Sequence, residues 1–370
     1  MDVMTTWSIR EVPVTDTPDG AWLLHGYTAA MNDVLLDAWG NRDFERTATE
    51  ILGSMRDQHY IRKPRLVALA DDAHDTPDPD RVLGYAMVNL PLQDNTHTAQ
   101  VEVGVRPGHR RRGVGASLYD ACLALVRDDG RTTVTAATDQ RAEPPEGPGT
   151  LAATTGVGRV EADAEGSRFL LKRGFALEQV ERYSVFHLPF DADAVARQRA
   201  DAEAHAGPEY RIVTWQSHVP EEWVDEYAVL NTRMSTDAPL GGLDLEEDVW
   251  DAERIRITEK QYAERGLELL MLAAEHIPTH TLAAFTGFMT IPNSDEFVHQ
   301  DDTLVIKEHR GKRLGMLVKT ANLQRLAAER PKVRRVGTWN AEENSYMLSI
   351  NVALGFRPAG GSGEWQLKLS

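Results

Sequence analysis

The segment "VRPGHRRRGVG", Val105 to Gly115, places three consecutive arginines between two glycines. They stand out in a chain of 370 residues whose formal net charge is −17. The preceding "VEVGV" is β-branched and reads as a strand. Leu118, Cys122 and Leu125, spaced i, i+4, i+7, read as one face of a helix. The arginine stretch is therefore a strand-to-helix turn. The first N–H groups of a helix lack internal partners and sit at its positive dipole end. Gly113 and Gly115 remove Cβ atoms, so that a phosphate can approach those amides, and Arg110, Arg111 and Arg112 add charge. The chemistry predicted is anion binding; the alternative is a capped turn with solvated arginines. A dinucleotide fingerprint would need GxGxxG directly after the strand, and a Walker A loop would need GK[ST]; neither is present.

A second copy lies 200 residues later. "VIKEHRGKRLG", Val305 to Gly315, sets Arg310 on Arg110, Val305 on Val105, Gly315 on Gly115 and Asp302 on Glu102. Downstream, "KRGF" ending at Phe175 falls on "ALGF" ending at Phe356, now 181 residues apart. The first copy thus carries about 20 extra residues. They are visible as the Pro/Gly/Ala-rich 140–166, which reads as a surface loop or lid or else as a disordered insertion with no role.

With the preceding strand and "VRP", the turn resembles the pyrophosphate signature [QR]xxGx[GA] of the GNAT acetyltransferase superfamily, filled by Arg110, Gly113 and Gly115. The paired turns make the chain similar to actinobacterial tandem members, of which mycothiol synthase is one branch. The resemblance implies an α/β architecture of the α+β type, two GNAT-like units each with a mixed, mainly antiparallel sheet flanked by helices. It divides the chain into an N-terminal unit at 1–190, a linker helix at 191–207 and a C-terminal unit at 208–370. It also implies acetyl-CoA as acyl donor. The donor would be held by Val103, Val105 and Arg110 to Gly115, Val114 included, and by Val305 with Arg310, Gly311, Lys312, Arg313, Leu314 and Gly315.

Direct transfer of an acyl group from a thioester needs a base for the amine, a polarised carbonyl and a proton for the departing thiolate. Glu102 and Asp302, each three residues before a strand-end valine, are the candidate bases; the alternative is a strand carboxylate facing water. In relatives the thiolate's proton usually comes from a tyrosine four residues before the final "GF" glycine. Those positions hold Leu170 and Asn351 here, and Tyr346 is near but out of register. Asn340 and Asn344 of "TWNAEENSYMLSINVALGF" match residues that hold the CoA arm in relatives, or else cap the following helix. Arg313 replaces the signature's first glycine, which is tolerable if that residue keeps a negative φ. Residues 231–266 occupy the region that covers the acceptor pocket in relatives, with Met234, Asp237, Trp250 and Arg254 as candidate lining. Trp250 and Arg254 can equally form a helix-surface pair.

Composition sets outer limits. No run of 18 apolar residues exists, and the first residues lack the form of a signal peptide. The lone Cys122 excludes internal disulfides and CxxC sites and suits a core position. The acidic balance argues against nucleic acid. The expectation is a cytoplasmic monomer or homodimer, without metal or membrane, that transfers an acetyl group to a small primary amine in its second half. A non-catalytic acyl-CoA-binding or scaffolding protein and a protein-lysine acetyltransferase are the alternatives.

Overall fold

The computed structural model describes residues 6–15, 17–71 and 77–369. The first half runs β1 (Trp7–Glu11), α1 (Pro18–Trp39), α2 (Ala48–Arg56), β2 (Ile61–Arg62), β3 (Arg65–Ala70), β4 (Val82–Pro91), β5 (Thr98–Val105), α3 (Val114–Asp128) and β6 (Thr133–Gln140). It continues through the short hairpin β7 (Thr150–Ala152) and β8 (Arg159–Glu161), α4 (Glu165–Leu171) and β9 (Ala176–His187). After α5 (Ala192–Ala206) the order returns. It reads β10 (Tyr210–Gln216), α6 (Val224–Asp237), α7 (Ala252–Glu264), β11 (Leu269–His276), β12 (Thr281–Ile291), β13 (Ser294–Val305), α8 (Leu314–Glu329), β14 (Arg335–Ala341), α9 (Ser345–Leu354) and β15 (Arg357–Lys368).

All strands but the β7–β8 hairpin join one sheet in the order β1-β3-β4-β5-β6-β15-β9-β14-β13-β12-β11-β10, with β2 paired to β4 off this path. Two pairings along that path, β5–β6 and β13–β14, are parallel, and the others are antiparallel. The mixed, mainly antiparallel sheet flanked by helices is thus what the sequence implied. The path also shows an exchange. The final strand of the second half, β15, pairs with β6 of the first, and β9 of the first half pairs with β14 of the second. Each exchanged strand carries an aromatic side chain into the other half's core. Trp365 is fully buried against Val134, Phe175 and Leu177, and Phe186 packs with Phe356, Ile350 and Val336. The 181-residue offset that maps Phe175 onto Phe356 also maps Glu181 onto Ser362, which are direct partners where β9 meets β15. A pseudo-twofold axis therefore passes through that pair.

Helices cover both faces. α3 packs on β4 and β5 while α1 and α2 cover the opposite face, and α8 against α6 and α7 repeats the layering in the second half. α5 begins at Asp191, whose side chain accepts from the Ala194 N–H, and ends at Gly207, whose φ is 85°. Such a start satisfies one of the free N-terminal donors, and glycine takes positive φ without a Cβ clash. The insertion is more ordered than a bare loop. Its hairpin buries Val160 in the first-half core, because a three-residue strand can still bury one apolar side chain.

Candidate active site

Each anion turn is built alike. A one-turn helix follows the strand, then a kinked segment, then the long helix. In the first turn Arg111 and Gly113 take φ of 61° and 98°; in the second Gly311 and Arg313 take 80° and 56°. Alternating left-handed residues turn successive N–H groups to one side, which is the geometry of an anion nest. The expectation that Arg313 keeps a negative φ is wrong. The turn imposes the left-handed region whichever residue occupies it, and a non-glycine residue there costs roughly 1 kcal/mol. Gly115 and Gly315 sit under Val105 and Val305, so the helix start lies close to the strand end.

The signature arginines have an additional task. Arg110 Nε donates to the Val105 carbonyl at 3.0 Å, and Arg310 Nε to the Val305 carbonyl at 3.2 Å. Their remaining nitrogens reach Asp37 at 2.8 Å and Asp237 at 3.0 Å, at the ends of α1 and α6. They clasp the turn to the helix on the opposite face. Arg111, Arg112, Lys312 and Arg313 are exposed. Arg313 pairs with Asp201 of α5. Val114 and Leu314 are buried at the helix starts.

The strands beside these turns splay. β5 meets β6 only over Thr98–Gln100, and β13 meets β14 only over Phe297–His299. Arg106 N bonds to the Leu83 carbonyl and Ile306 N to the Ala283 carbonyl across the antiparallel ladder. Because N–H groups alternate sides along a strand, those of Val103, Val105 and Val305 point away from that ladder into the gaps. A carbonyl lying in either gap would meet a strand amide.

The halves then diverge. Between Thr286 and Phe288 of β12, β13 carries an extra residue, so Asp301 and Asp302 both oppose Gly287. β4 and β5 keep regular register through Met87 and Glu102. The bulge leaves the Gly287 carbonyl outside the regular ladder, and Gln300 Nε2 fills it at 2.6 Å while also reaching Thr286. Such an insertion re-aims a strand's side chains, and Asp302 here lines a cavity of about 460 Å³.

Strands of both halves wall that cavity. Asp139 comes from β6, Glu181 from β9, Asp302 from β13, Trp339 and Asn340 from β14, and Glu364 from β15. Met234, Ala238 and Pro239 close it from the end of α6. Four carboxylates share one space, and each is pushed up. Burial and the nearby Asp301 and Glu181 charges raise Asp302 to about 7. Burial, then the Glu181 and Asp139 charges, raise Glu364 to about 8. Burial and the Glu102 charge raise Asp139 to about 7, against a hydrogen bond from Trp39. Burial and Glu343 raise Glu181. Asp302 and Asp139 are both exposed at the cavity, so water reaches their carboxyls, whereas Glu181 and Glu364 are half-buried.

The matching place in the first half is filled. The 200-residue offset that sets Asp37 on Asp237 sets Trp39 on Pro239. Trp39 is buried and stacks with Phe44, Tyr183 and Trp339 at centroid distances of 4.6 to 5.5 Å. Glu102 there accepts a 2.5 Å hydrogen bond from the Tyr85 hydroxyl.

Other candidates from the sequence fall in several places. Asn340 lines the cavity and accepts from Asn351 Nδ2 at 2.6 Å. Asn351, at the position that usually holds a tyrosine, is buried with its Oδ1 unpartnered. Leu170, its counterpart, is core. Asn344 borders the cavity and caps α9 through the Met347 N–H at 3.2 Å. Tyr346 is 55% exposed and does not border the cavity, so it is not brought to Asp302. Met234 lines the cavity and Asp237 is held by Arg310. Trp250 stacks under Arg254 at 4.5 Å, and Arg254 pairs with Asp94, away from the cavity. Cys122 is fully buried. Asp139, Glu181 and Glu364 were not singled out in the sequence. Each is an isolated acid among uncharged neighbours or, for Glu181, one of two acids on its strand, and such an acid by itself reads as solvent-facing.

Among the described residues no helix is long and apolar enough to cross a membrane, and no group of His, Cys, Asp and Glu is placed to hold a metal ion. The Acetyltransferase (GNAT) family model matches residues 29–144. No curated protein matches the chain. Among solved structures, a tandem GNAT protein from the clavulanic acid biosynthesis pathway is 24% identical, with 98% of each chain covered and a TM-score of 0.75. A GCN5-related N-acetyltransferase from Sphaerobacter thermophilus is 14% identical, covering 98% of this chain and 95% of its own, at 0.58. Saccharomyces cerevisiae N-myristoyltransferase with bound myristoyl-CoA is 12% identical, covering 99% of this chain and 79% of its own, at 0.56.

Proposed function

From a chain that carries a GNAT acetyltransferase domain in its first half and the tandem GNAT fold throughout, we propose an acetyl-CoA-dependent N-acetyltransferase. It acts on a small primary amine, and transfer takes place in its second half. The observation that carries the assignment is the cavity. It opens at the β13–β14 gap beside Asp302, whereas Trp39 occupies the equivalent place in the first half. The chain reads as two GNAT-like units, 1–190 and 208–370, that share their last strands.

The residues present fit the donor. The nest at Arg310 to Gly315 offers backbone N–H groups to a pyrophosphate, and Lys312 adds charge in solvent. The Val305 N–H, free in the gap, donates to the thioester carbonyl and to the oxyanion that follows it. When bound, the donor supplies an activated acyl carbon and a thiolate leaving group. Asp302 meets the incoming ammonium, takes its proton directly or through one water, and leaves the nitrogen lone pair free to attack. A carboxyl that ionises near neutral pH suits this, since a base works best with a pKa near the working pH. Tyr346 is turned away, so water takes the nitrogen's second proton as the C–S bond breaks and supplies one to the thiolate; a thiol near 8.5 departs without a dedicated acid.

The first-half nest has the same shape and binds CoA without turnover. A purely acyl-CoA-binding protein is the competing reading, favoured by the missing tyrosines. Free thiol released from acetyl-CoA in the presence of primary amines, monitored colorimetrically, decides between them. Release that depends on amine supports transfer; CoA binding without release supports the competing reading.

A further inference from the structure

The cavity says more about the acceptor than that it is an amine. Asp139, Glu181, Asp302 and Glu364 line it, and among the described residues no lysine, arginine or histidine does. The nearest basic residue along β9, Arg182, is held away by both carboxylate oxygens of Glu342. Among the described residues no protein donor or cation meets the side chains of Glu181 or Asp302. Uncompensated carboxylates facing one another in a confined space repel, and a bound cation relieves that repulsion. They are also too dispersed to hold a metal ion among the described residues.

One ammonium, the one that reacts, needs only Asp302. Three further acids, two of them from the first half's strands, remain without a task in the transfer itself. Building on the transfer reading above, we infer that the acceptor is an aliphatic di- or polyamine. Its distal ammonium lies among Glu181, Glu364 and Asp139 while its proximal nitrogen faces Asp302. The strand exchange gives this a structural basis, since β6 and β9 of one half and β15 of the other must meet for the distal subsite to exist. Trp339 and Met234 offer apolar wall to the methylene chain between the charges.

The test compares 1,6-diaminohexane with hexylamine and 6-amino-1-hexanol, which keep the chain length but lose the second charge. Losing one hydrogen bond to a charged group lowers kcat/KM by about 10- to 100-fold. The diamine is therefore expected to exceed both monoamines by that factor. Separate Glu181→Gln and Glu364→Gln variants should each shrink the ratio. A ratio near one, or a ratio that both variants leave unchanged, overturns the inference while the transfer reading stands. A third outcome is calorimetry on the full chain in which 1,6-diaminohexane binds in a Glu181-dependent manner while no amine triggers thiol release. The distal subsite then stands and the transfer reading falls. Absence of diamine binding by calorimetry overturns the inference as well.

Discussion

Replacing Asp302 with asparagine keeps the side-chain shape on the bulge and removes only the charge and the proton-accepting oxygen. An alkylammonium has a pKa near 10.4, so at pH 7.5 roughly one acceptor molecule in a thousand is nucleophilic without help. A positioned base recovers much of that factor, and its loss costs about 10²–10⁴ in rate. The structure favours the middle of this range. Asp302 lines the cavity, burial and like charges bring it to about 7, and among the described residues no protein donor competes for it. Initial rates of thiol release should therefore fall by ~10³ in kcat, while the calorimetric affinity for CoA, set by the Arg310–Gly315 nest and the Val305 strand end, is retained. The paired control is Glu102→Gln. Glu102 is held by Tyr85 at 2.5 Å and Trp39 fills its half's pocket, so turnover should stay close to wild type. Near-wild-type kcat in Asp302→Asn would refute the base. A large loss in Glu102→Gln would move the chemistry to the first half.

Tyr346→Phe should be silent in both kcat and CoA affinity, because its ring is 55% exposed and away from the cavity; abolished turnover would show that it supplies the leaving-group proton. At the second nest, Arg313→Gly should be more stable to denaturant than Arg313→Ala by about 1 kcal/mol, since both lose the Asp201 pair but only glycine is unstrained at φ 56°. The cavity acids also set a pH dependence of known sign. With Glu364 at about 8 rather than 4.5, the folded state holds a proton that the unfolded state has lost between those values. This contribution thus destabilises the fold progressively as pH rises through the window. Glu364→Gln should therefore raise Tm over wild type more at pH 8 than at pH 5, and a constant difference would refute it. In the same window kcat/KM should rise with pH as Asp302 ionises near 7.

The parts of the site that were legible in the sequence are those where backbone geometry restricts residue type. Close helix–strand packing needs glycine at Gly115 and Gly315, and each turn places one glycine, Gly113 or Gly311, at one of its two left-handed positions, so the arginines with these glycines marked both nests and the repeat between them. The acid three residues before each strand-end valine was visible for the same reason of register. The bulge was hidden, because "QDDTLV" aligns with "QVEVGV" without a gap and the extra residue is absorbed in pairing with β12. The strand exchange left no local trace either. β9 and β15 follow equivalent "GF" turns and each fits the gap beside β6 or β14, so partner choice is a long-range property. Three of the four cavity acids followed from that exchange. Glu181 in "LEQVERYSVF" and Glu364 in "SGEWQLKL" look like wet-face residues until the other half's strand is set beside them.

The most direct test of the account is a crystal structure with acetyl-CoA and a non-reactive diamine analogue. The account predicts pyrophosphate density on the amides of Arg310 to Gly315 and the thioester carbonyl within hydrogen-bond reach of the Val305 N–H. It also predicts an amine nitrogen between that carbonyl and Asp302. Donor density at Arg110 to Gly115 alone, with the cavity beside Asp302 holding only water, would contradict it.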